Sequence, residues 1–317
     1  MVNLLSKSKY ISLNIKDKFS LTDITVLDKI IDITSKKKIR CYLVGGAVRD
    51  IILGKTPKDL DFVVDKKAEI SNGVIIGPYC VIGPNVSIGL NSKLHSHINI
   101  TGNTKIGEGN EIFPFASIGT DPQDLKYKGE KNSIIIGNNN KFREYVNINP
   151  GTEQGGGITK IGSNNLLMVY CHVAHDCNLS NNIVLANNVQ VGGHVFIQDN
   201  AIIGGSCAIH QFSRIGESAM IGGMTGVLSD VIPYGLSLGN RNNLVGLNLI
   251  GLRRAKISNE NIKIMQEAYN IIFKSESFRS NIDTLSSKIK NNQFVNKIIN
   301  FINSDKKRPI SIPENIK

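Results

Sequence analysis

Four of the six histidines in this 317-residue chain fall between residues 172 and 210: His172, His175, His194 and His210. Imidazole is the side chain whose ordinary titration lies near neutral pH, so a cluster of it points to proton transfer with one ring as general base. Asp176 directly follows His175 and can orient that ring or stabilise its cationic form. A metal site is the competing reading, because His172 and His175 look like a ligand pair. Apart from Asp176, no cysteine or carboxylate stands at ligand spacing, so no metal is expected.

Those residues act together only if the fold brings them into line, and a six-residue period does so. Ile161, Leu167, Val173, Leu179, Leu185, Val191, Ile197, Ile203, Ile209, Ile215, Ile221 and Val227 are aliphatic without interruption, and Ile76 to Ile118 repeats the pattern. Three such hexads make one triangular coil, and stacking the coils gives a continuous dry core. The expected fold is an all-β parallel β-helix of hexapeptide repeats, left-handed as such prisms usually are, although the period alone does not show the hand. The aliphatic residue is predicted at each corner, with Gly favoured after it because a Cβ would crowd the turn. Counted in eighteen-residue coils from Ile161, the histidines take places 11, 14, 15 and 13. Coils about 4.8 Å apart would then stack the four rings as one column on one edge. Residues 119–135 and 149–160 carry no hexad phase and are read as loops projecting from one face, the first with a polar cluster, Asp124-Leu125-Lys126.

The net charge of +11 sits at the ends. Residues 1–66 hold 13 basic against 8 acidic side chains, residues 245–317 hold 13 against 6, and residues 67–244 are nearly neutral. Basic flanks can attract nucleic acid, an anionic membrane surface or an acidic protein. The five cysteines, Cys41, Cys80, Cys171, Cys177 and Cys207, lack metal-ligand spacing and read as buried reduced thiols. No long apolar run occurs, so a soluble, cytoplasmic protein without a transmembrane segment is expected.

The strings NLLMVYCHVAHDC, LANNVQVGGHV, IIGGSCAIHQF, IGGMTGVLSDVIPYG and ASIGTDPQDLKYKGE resemble the acyl-carrier-protein-dependent UDP-N-acetylglucosamine O-acyltransferases of lipid A synthesis, from about residue 68 onward. The resemblance implies transfer of a (3R)-hydroxyacyl chain from acyl carrier protein to the glucosamine 3-hydroxyl, with no cofactor. His175 matches the general base, Asp176 its orienting partner, and the Gly193 amide an oxyanion donor. Asp124, Lys126, His172, His194 and Gln211 match residues lining the sugar and acyl site. His210, Asn248 and Arg254 match contacts at the nucleotide end, where an Arg fork suits a diphosphate. Gly223 and Arg241 match positions that set acyl length. The resemblance also implies a homotrimer with sites between prisms. One departure is Ile250, where some members carry a Glu that contacts the nucleotide.

Three parts follow: a fragment over 1–66, the prism over 67–244, and helices over 245–317. Ser258 reads as an N-cap, with Ile262, Met265, Tyr269 and Ile272 on one helical face. Arg253, Arg254 and Lys256 would suit the acidic face of acyl carrier protein. Residues 41–65 resemble the head of the tRNA nucleotidyltransferase and poly(A) polymerase family, with Gly45-Gly46 and Arg49-Asp50 as triphosphate cradle and Asp59 and Asp61 as metal carboxylates. The rest of that enzyme is missing, so this short α/β piece reads as a non-catalytic remnant, and no nucleic-acid partner is expected. The alternatives are an N-acyltransferase on an amino-sugar nucleotide, an RNA- or nucleotide-binding protein using the basic ends, and an inactive structural trimer.

Overall fold

The computed structural model describes residues 68–305 and 308–316. Of the N-terminal segment it describes a few residues and the backbones of two antiparallel pairs, Val2–Ser6 with Lys9–Leu13 and Arg40–Val44 with Asp61–Asp65. Gly45, Gly46, Arg49, Asp59 and the Cys41 side chain lie outside the described residues.

From Glu69 the chain winds as a prism of short parallel strands on three faces. The first face runs from Val81–Ile82 through His172–Val173 to Gly226–Val227, and the second from Glu69–Ile70 to Arg214–Ile215. The third runs from Ile75–Ile76 to Met220–Ile221 and ends in the strands Gly235–Leu238 and Asn243–Leu247. Where no loop intervenes, each strand pairs with the one eighteen residues on, as His172 does with Gln190.

The aliphatic residues do not sit at the corners. Each is the last residue of a strand on a flat face, as in Leu166–Leu167 and Val184–Leu185, and from Ile82 onward each is buried there. The reason is backbone pairing: a residue facing its copies in the coils above and below must lie where the strands hydrogen-bond. Glycine follows it because the next coil's backbone is close; a Cβ on Gly77 would lie 2.3 Å from the His95 carbonyl oxygen. The corner comes three residues after the aliphatic one, at a residue with positive φ, such as Asp176 (59°) or His194 (60°). That conformation turns the chain and throws the corner side chain outward.

Among the polar groups that interrupt the dry core is a stack of amides. Asn110, Asn140 and Asn165 are buried in successive coils. Asn140 Nδ2 donates to Asn110 Oδ1 (2.9 Å) and to the Gly162 carbonyl (2.9 Å), and Asn165 N donates to Asn140 Oδ1 (2.9 Å). The stack satisfies itself, as buried amides must.

Helices close the far end: α1 (Leu249–Arg254), α2 (Asn259–Ile272), α3 (Phe278–Asp283), α4 (Ser287–Lys290) and α5 (Gln293–Ser304). The Ser258 hydroxyl accepts from Asn261 N and starts α2, whose buried face is Ile262, Met265, Ala268 and Ile272. The tail is clamped to the last coils through Asp230, whose buried carboxylate pairs with Arg214 Nε (2.7 Å) and Arg308 Nε (3.1 Å). The four described cysteines, Cys80, Cys171, Cys177 and Cys207, are buried. Burial pushes the Cys171 thiol up to about 11 and the Cys177 thiol to about 12, so neither is a nucleophile at neutral pH.

Candidate active site

His175 and Asp176 turn the corner between the first and second faces. Asp176 Oδ2 lies 2.8 Å from His175 Nδ1, and the Asp176 side chain has no solvent exposure. A carboxylate only accepts hydrogen bonds, so Nδ1 is the donor and Nε2 keeps the free lone pair. That tautomer is the one a general base needs.

The ring of His175 lies against Gly193, one coil on. A Cβ at Gly193 would fall 2.6 Å from Cε1 and 2.7 Å from Nε2. Only glycine lets the ring settle there, and its amide has no hydrogen-bond partner among the described residues. A free N–H therefore stands beside a basic nitrogen, the pairing that acyl transfer uses.

The other histidines share this edge but not one column. Residues stack on those eighteen later, so His175 lies under Gly193 and Gln211, whereas His194 lies between Asp176 and Phe212. His194 instead meets His175 edge-on, with ring centroids 5.0 Å apart, and stacks on Phe212 at 4.4 Å. His172 is on the first face, one strand earlier, where Nδ1 is 2.7 Å from Asn147 Oδ1. His210 is exposed, with Nδ1 3.0 Å from the Gln211 carbonyl, and Gln211 is exposed beside it. The four rings form a patch because their places in the coil differ by one to four residues. Burial lowers the His172 and His194 pKa values, with Asp176 partly opposing this at His194.

His175, Asp176 and His194 also have potential ligand atoms within 4.8 Å of one another. Asp176 Oδ2 already accepts from His175 Nδ1, from Thr152 Oγ1 (2.6 Å) and from Thr152 N (3.1 Å). A cation there would have to break the His175 bond, so the donor set fits an acid/base pair better than a metal site.

Both irregular loops leave the prism at this corner, one after Ile118 and one after Ile148. They pack on each other: Lys126 Nζ reaches Gln154 Oε1 (3.5 Å), Glu153 N donates to Glu130 Oε1 (3.3 Å), and Ser133 N donates to the Gly157 carbonyl (2.9 Å). Between them is a cleft of about 590 Å³ lined by Asp124, Lys126, Glu130, Thr152 and Gln154. Asp124 Oδ1 accepts from Lys126 N (2.9 Å), and the Asp124 charge is felt at His194.

The remaining predicted residues lie apart within one chain. Asn248 caps α1: its Oδ1 accepts from Gly251 N (3.0 Å) and its Nδ2 donates to the Ser218 carbonyl (3.1 Å). Arg254 and Ile250 are exposed on α1, and Arg241 is exposed in the turn between the last two strands. Gly223 is exposed near the prism end, with the Gly205 carbonyl 3.3 Å from where its Cβ would be. No hydrogen bond or ion pair among the described residues links Asn248, Arg254 or Arg241 to the histidine edge. Asn147 and Thr152 were not found from sequence, because the loops break the eighteen-residue count that would have aligned Asn147 with His172 and Gly151 with Asp176.

Comparison with known proteins gives consistent results. Residues 230–311 match the family model described as Udp N-acetylglucosamine O-acyltransferase, Domain 2, and residues 41–76 match the Poly A polymerase head domain. A curated acyl-[acyl-carrier-protein]--UDP-N-acetylglucosamine O-acyltransferase from Rhizobium johnstonii is 42% identical over 252 residues, covering 79% of this chain and 93% of the relative. That from Thermodesulfovibrio yellowstonii is 45% identical over 246 residues, covering 77% and 95%. Among solved structures, LpxA from Acinetobacter baumannii matches with a TM-score of 0.75 at 44% identity, over 78% of this chain and 97% of that one. The Arabidopsis UDP-N-acetylglucosamine acyltransferase matches with a TM-score of 0.69 at 33% identity, over 78% and 96%.

Proposed function

This chain belongs to the acyl-[acyl-carrier-protein]--UDP-N-acetylglucosamine O-acyltransferase family, and on that premise we propose that His175 is the general base that moves a (3R)-hydroxyacyl chain onto the 3-hydroxyl of UDP-N-acetylglucosamine. The fold is the left-handed hexapeptide β-helix of that family, and the reaction opens lipid A biosynthesis. The observation that carries the proposal is the Asp176–His175 bond of 2.8 Å, which makes Nδ1 the donor and turns Nε2 to the role of acceptor beside Gly193.

In this reading the 3-hydroxyl gives its proton to His175 Nε2 as its oxygen attacks the thioester carbonyl carbon. The carbonyl π pair moves onto oxygen, and the Gly193 N–H donates to the oxyanion. Collapse expels the carrier thiolate, which takes the proton from the imidazolium, leaving an ester and a free thiol. Asp176 stabilises the imidazolium throughout. His172 and His194, kept neutral by burial, hydrogen-bond the sugar without repelling that cation. Asp124, Lys126 and Gln211 complete the sugar and acyl walls, and Gly223 and Arg241 set the depth of the acyl groove.

We place the enzyme in the cytoplasm as a homotrimer. Among the described residues no helix is long and apolar enough to cross a membrane. A shared site is supported by the position of Arg254, with His210 and Asn248 the other nucleotide-end contacts: in a trimer the Arg254 of one protomer can face the histidine edge of the next. Arg253, Arg254 and Lys256 then offer a basic approach to acyl carrier protein.

The test is incubation of purified protein and its His175→Ala variant with UDP-N-acetylglucosamine and a series of (3R)-hydroxyacyl carrier proteins. Ester product from the wild type, with the variant reduced at least a hundredfold, supports the reading. No product from a folded protein, or product only with an amino-sugar acceptor, overturns it.

A further inference from the structure

We infer that Thr152 is a positioning residue for the transfer reaction, holding Asp176 as a fully hydrogen-bonded carboxylate aimed at His175; this rests on the general-base reading above. Thr152 sits in the second irregular loop and is buried, 3% exposed, although the four residues after it are exposed. A threonine buried in a polar loop calls for a reason, and its contacts supply one. Its hydroxyl donates to Asp176 Oδ2 (2.6 Å), and its backbone N–H lies 2.9 Å from Oδ1 and 3.1 Å from Oδ2. The side chain and the amide thus grip both carboxylate oxygens, sharing Oδ2 with His175.

Glycines shape the same cradle. A Cβ on Gly155 would fall 2.0 Å from Asp176 Cγ and 2.3 Å from each carboxylate oxygen, and one on Gly151 would fall 2.7 Å from Oδ1. The loop therefore closes directly on the carboxylate. It is anchored from behind as well: Asn149 Nδ2 donates to the Thr120 and Asp121 carbonyls (3.2 Å each), and Gly157 N donates to the Thr152 carbonyl (2.8 Å).

The physical consequence concerns direction. A carboxylate on a corner residue can rotate about its side-chain bonds, and rotation would swing Oδ2 away from Nδ1. The His175 ring would then be free to turn or to adopt the other tautomer, with the proton on Nε2, where it cannot accept the sugar proton. Charge-assisted bonds from Thr152 remove that freedom. In this scheme Thr152 acts through Asp176.

Steady-state kinetics of Thr152→Val, Thr152→Ser, Gly155→Ala and Asp176→Asn, beside wild type and His175→Ala, test this. Thr152→Val should lower kcat about ten- to a hundredfold, the size expected for losing one charge-assisted hydrogen bond, with the KM for both substrates within about twofold. Thr152→Ser should restore most of that loss, because it keeps the hydroxyl. Gly155→Ala should reproduce the loss by displacing the carboxylate sterically. In the Asp176→Asn background, Thr152→Val should cost little more, since residues acting as a unit are non-additive. Full kcat in Thr152→Val, or additive losses in the double variant, overturns the positioning role while His175→Ala remains inactive. Equal rates in His175→Ala and wild type would instead overturn the general-base reading itself. UDP-N-acetylglucosamine binding by each variant, measured calorimetrically, separates a lost fold from a lost alignment.

Discussion

Two corners of the same prism are built by the same backbone device and do different work. At the corner between the third and first faces, Tyr79, His97, Phe115, Tyr145 and Tyr170 follow one another at positive φ in successive coils. Their rings stack in an unbroken exposed ladder, with centroids 4.7, 5.0, 5.0 and 4.7 Å apart. At the corner between the first and second faces, Asp176, His194 and Phe212 occupy the equivalent places. There the two irregular loops leave the prism, and Thr152 returns to bind Asp176. A ladder of like rings satisfies itself and needs nothing further. A corner whose column changes from carboxylate to imidazole to phenyl has partners to find off the column, and the loops provide them. The proposed chemistry lies where the repeat is interrupted.

The largest test of that contrast sets one corner against the other. His175→Ala should lower kcat by about 10²–10⁴-fold with an unchanged melting temperature, whereas Tyr145→Ala should leave kcat per folded enzyme within about twofold. Tyr145→Ala should show its effect in urea titrations instead, costing about 1–3 kcal/mol for two stacked pairs. A kcat collapse in Tyr145→Ala would erase the distinction between the corners.

A smaller effect is expected at Arg254. Arg254→Ala should raise the KM for UDP-N-acetylglucosamine about tenfold, as loss of a charged hydrogen-bond partner does. Mixing it with His175→Ala after joint unfolding and refolding should recover turnover at the wild-type KM, which neither homotrimer shows, because some sites then combine two intact edges. Failure to recover would confine the site to one protomer.

The smallest effect is in pH. Burial lowers the His172 and His194 pKa values below the ordinary value of 6.5, so in the window beneath it the unfolded chain binds more protons than the folded one. Their contribution to stability is full above that window and falls as pH drops through it. Urea midpoints of wild type and His172→Gln should therefore converge on acidification from pH 7.5 toward pH 5.5. Parallel curves would mean that His172 is not held neutral.

Much of this was legible in the residues themselves. The hexads foretold three-faced stacking, because a period of six survives any local variation in the residues between. His175, Asp176 and Gly193 were legible through their similarity to a family, and the structure puts them in contact. What escaped notice has a common cause. The histidines were expected in one column, but a difference of one residue in coil place moves a ring to a neighbouring column. The aliphatic residues were assigned to corners, although strand pairing puts them on the flat faces. Thr152 and Asn147 were hidden because loop residues shift the count between coils. Asn248, matched to a ligand contact, also caps α1, and a cap is legible only once the helix start is known.

The buried asparagines have a consequence of another kind. Every coil offers its neighbour the same greasy interior, so a displacement by one whole turn would leave nearly every aliphatic contact satisfied. Asn110, Asn140 and Asn165 would be disturbed by it, since each amide reaches an acceptor in its own adjacent turn. A displaced chain would strand amides in hydrocarbon, a cost no equivalent Ile contact would recover. The stack serves as an index mark on an otherwise uniform ruler. It favours one alignment of the coils over a shift by a whole turn.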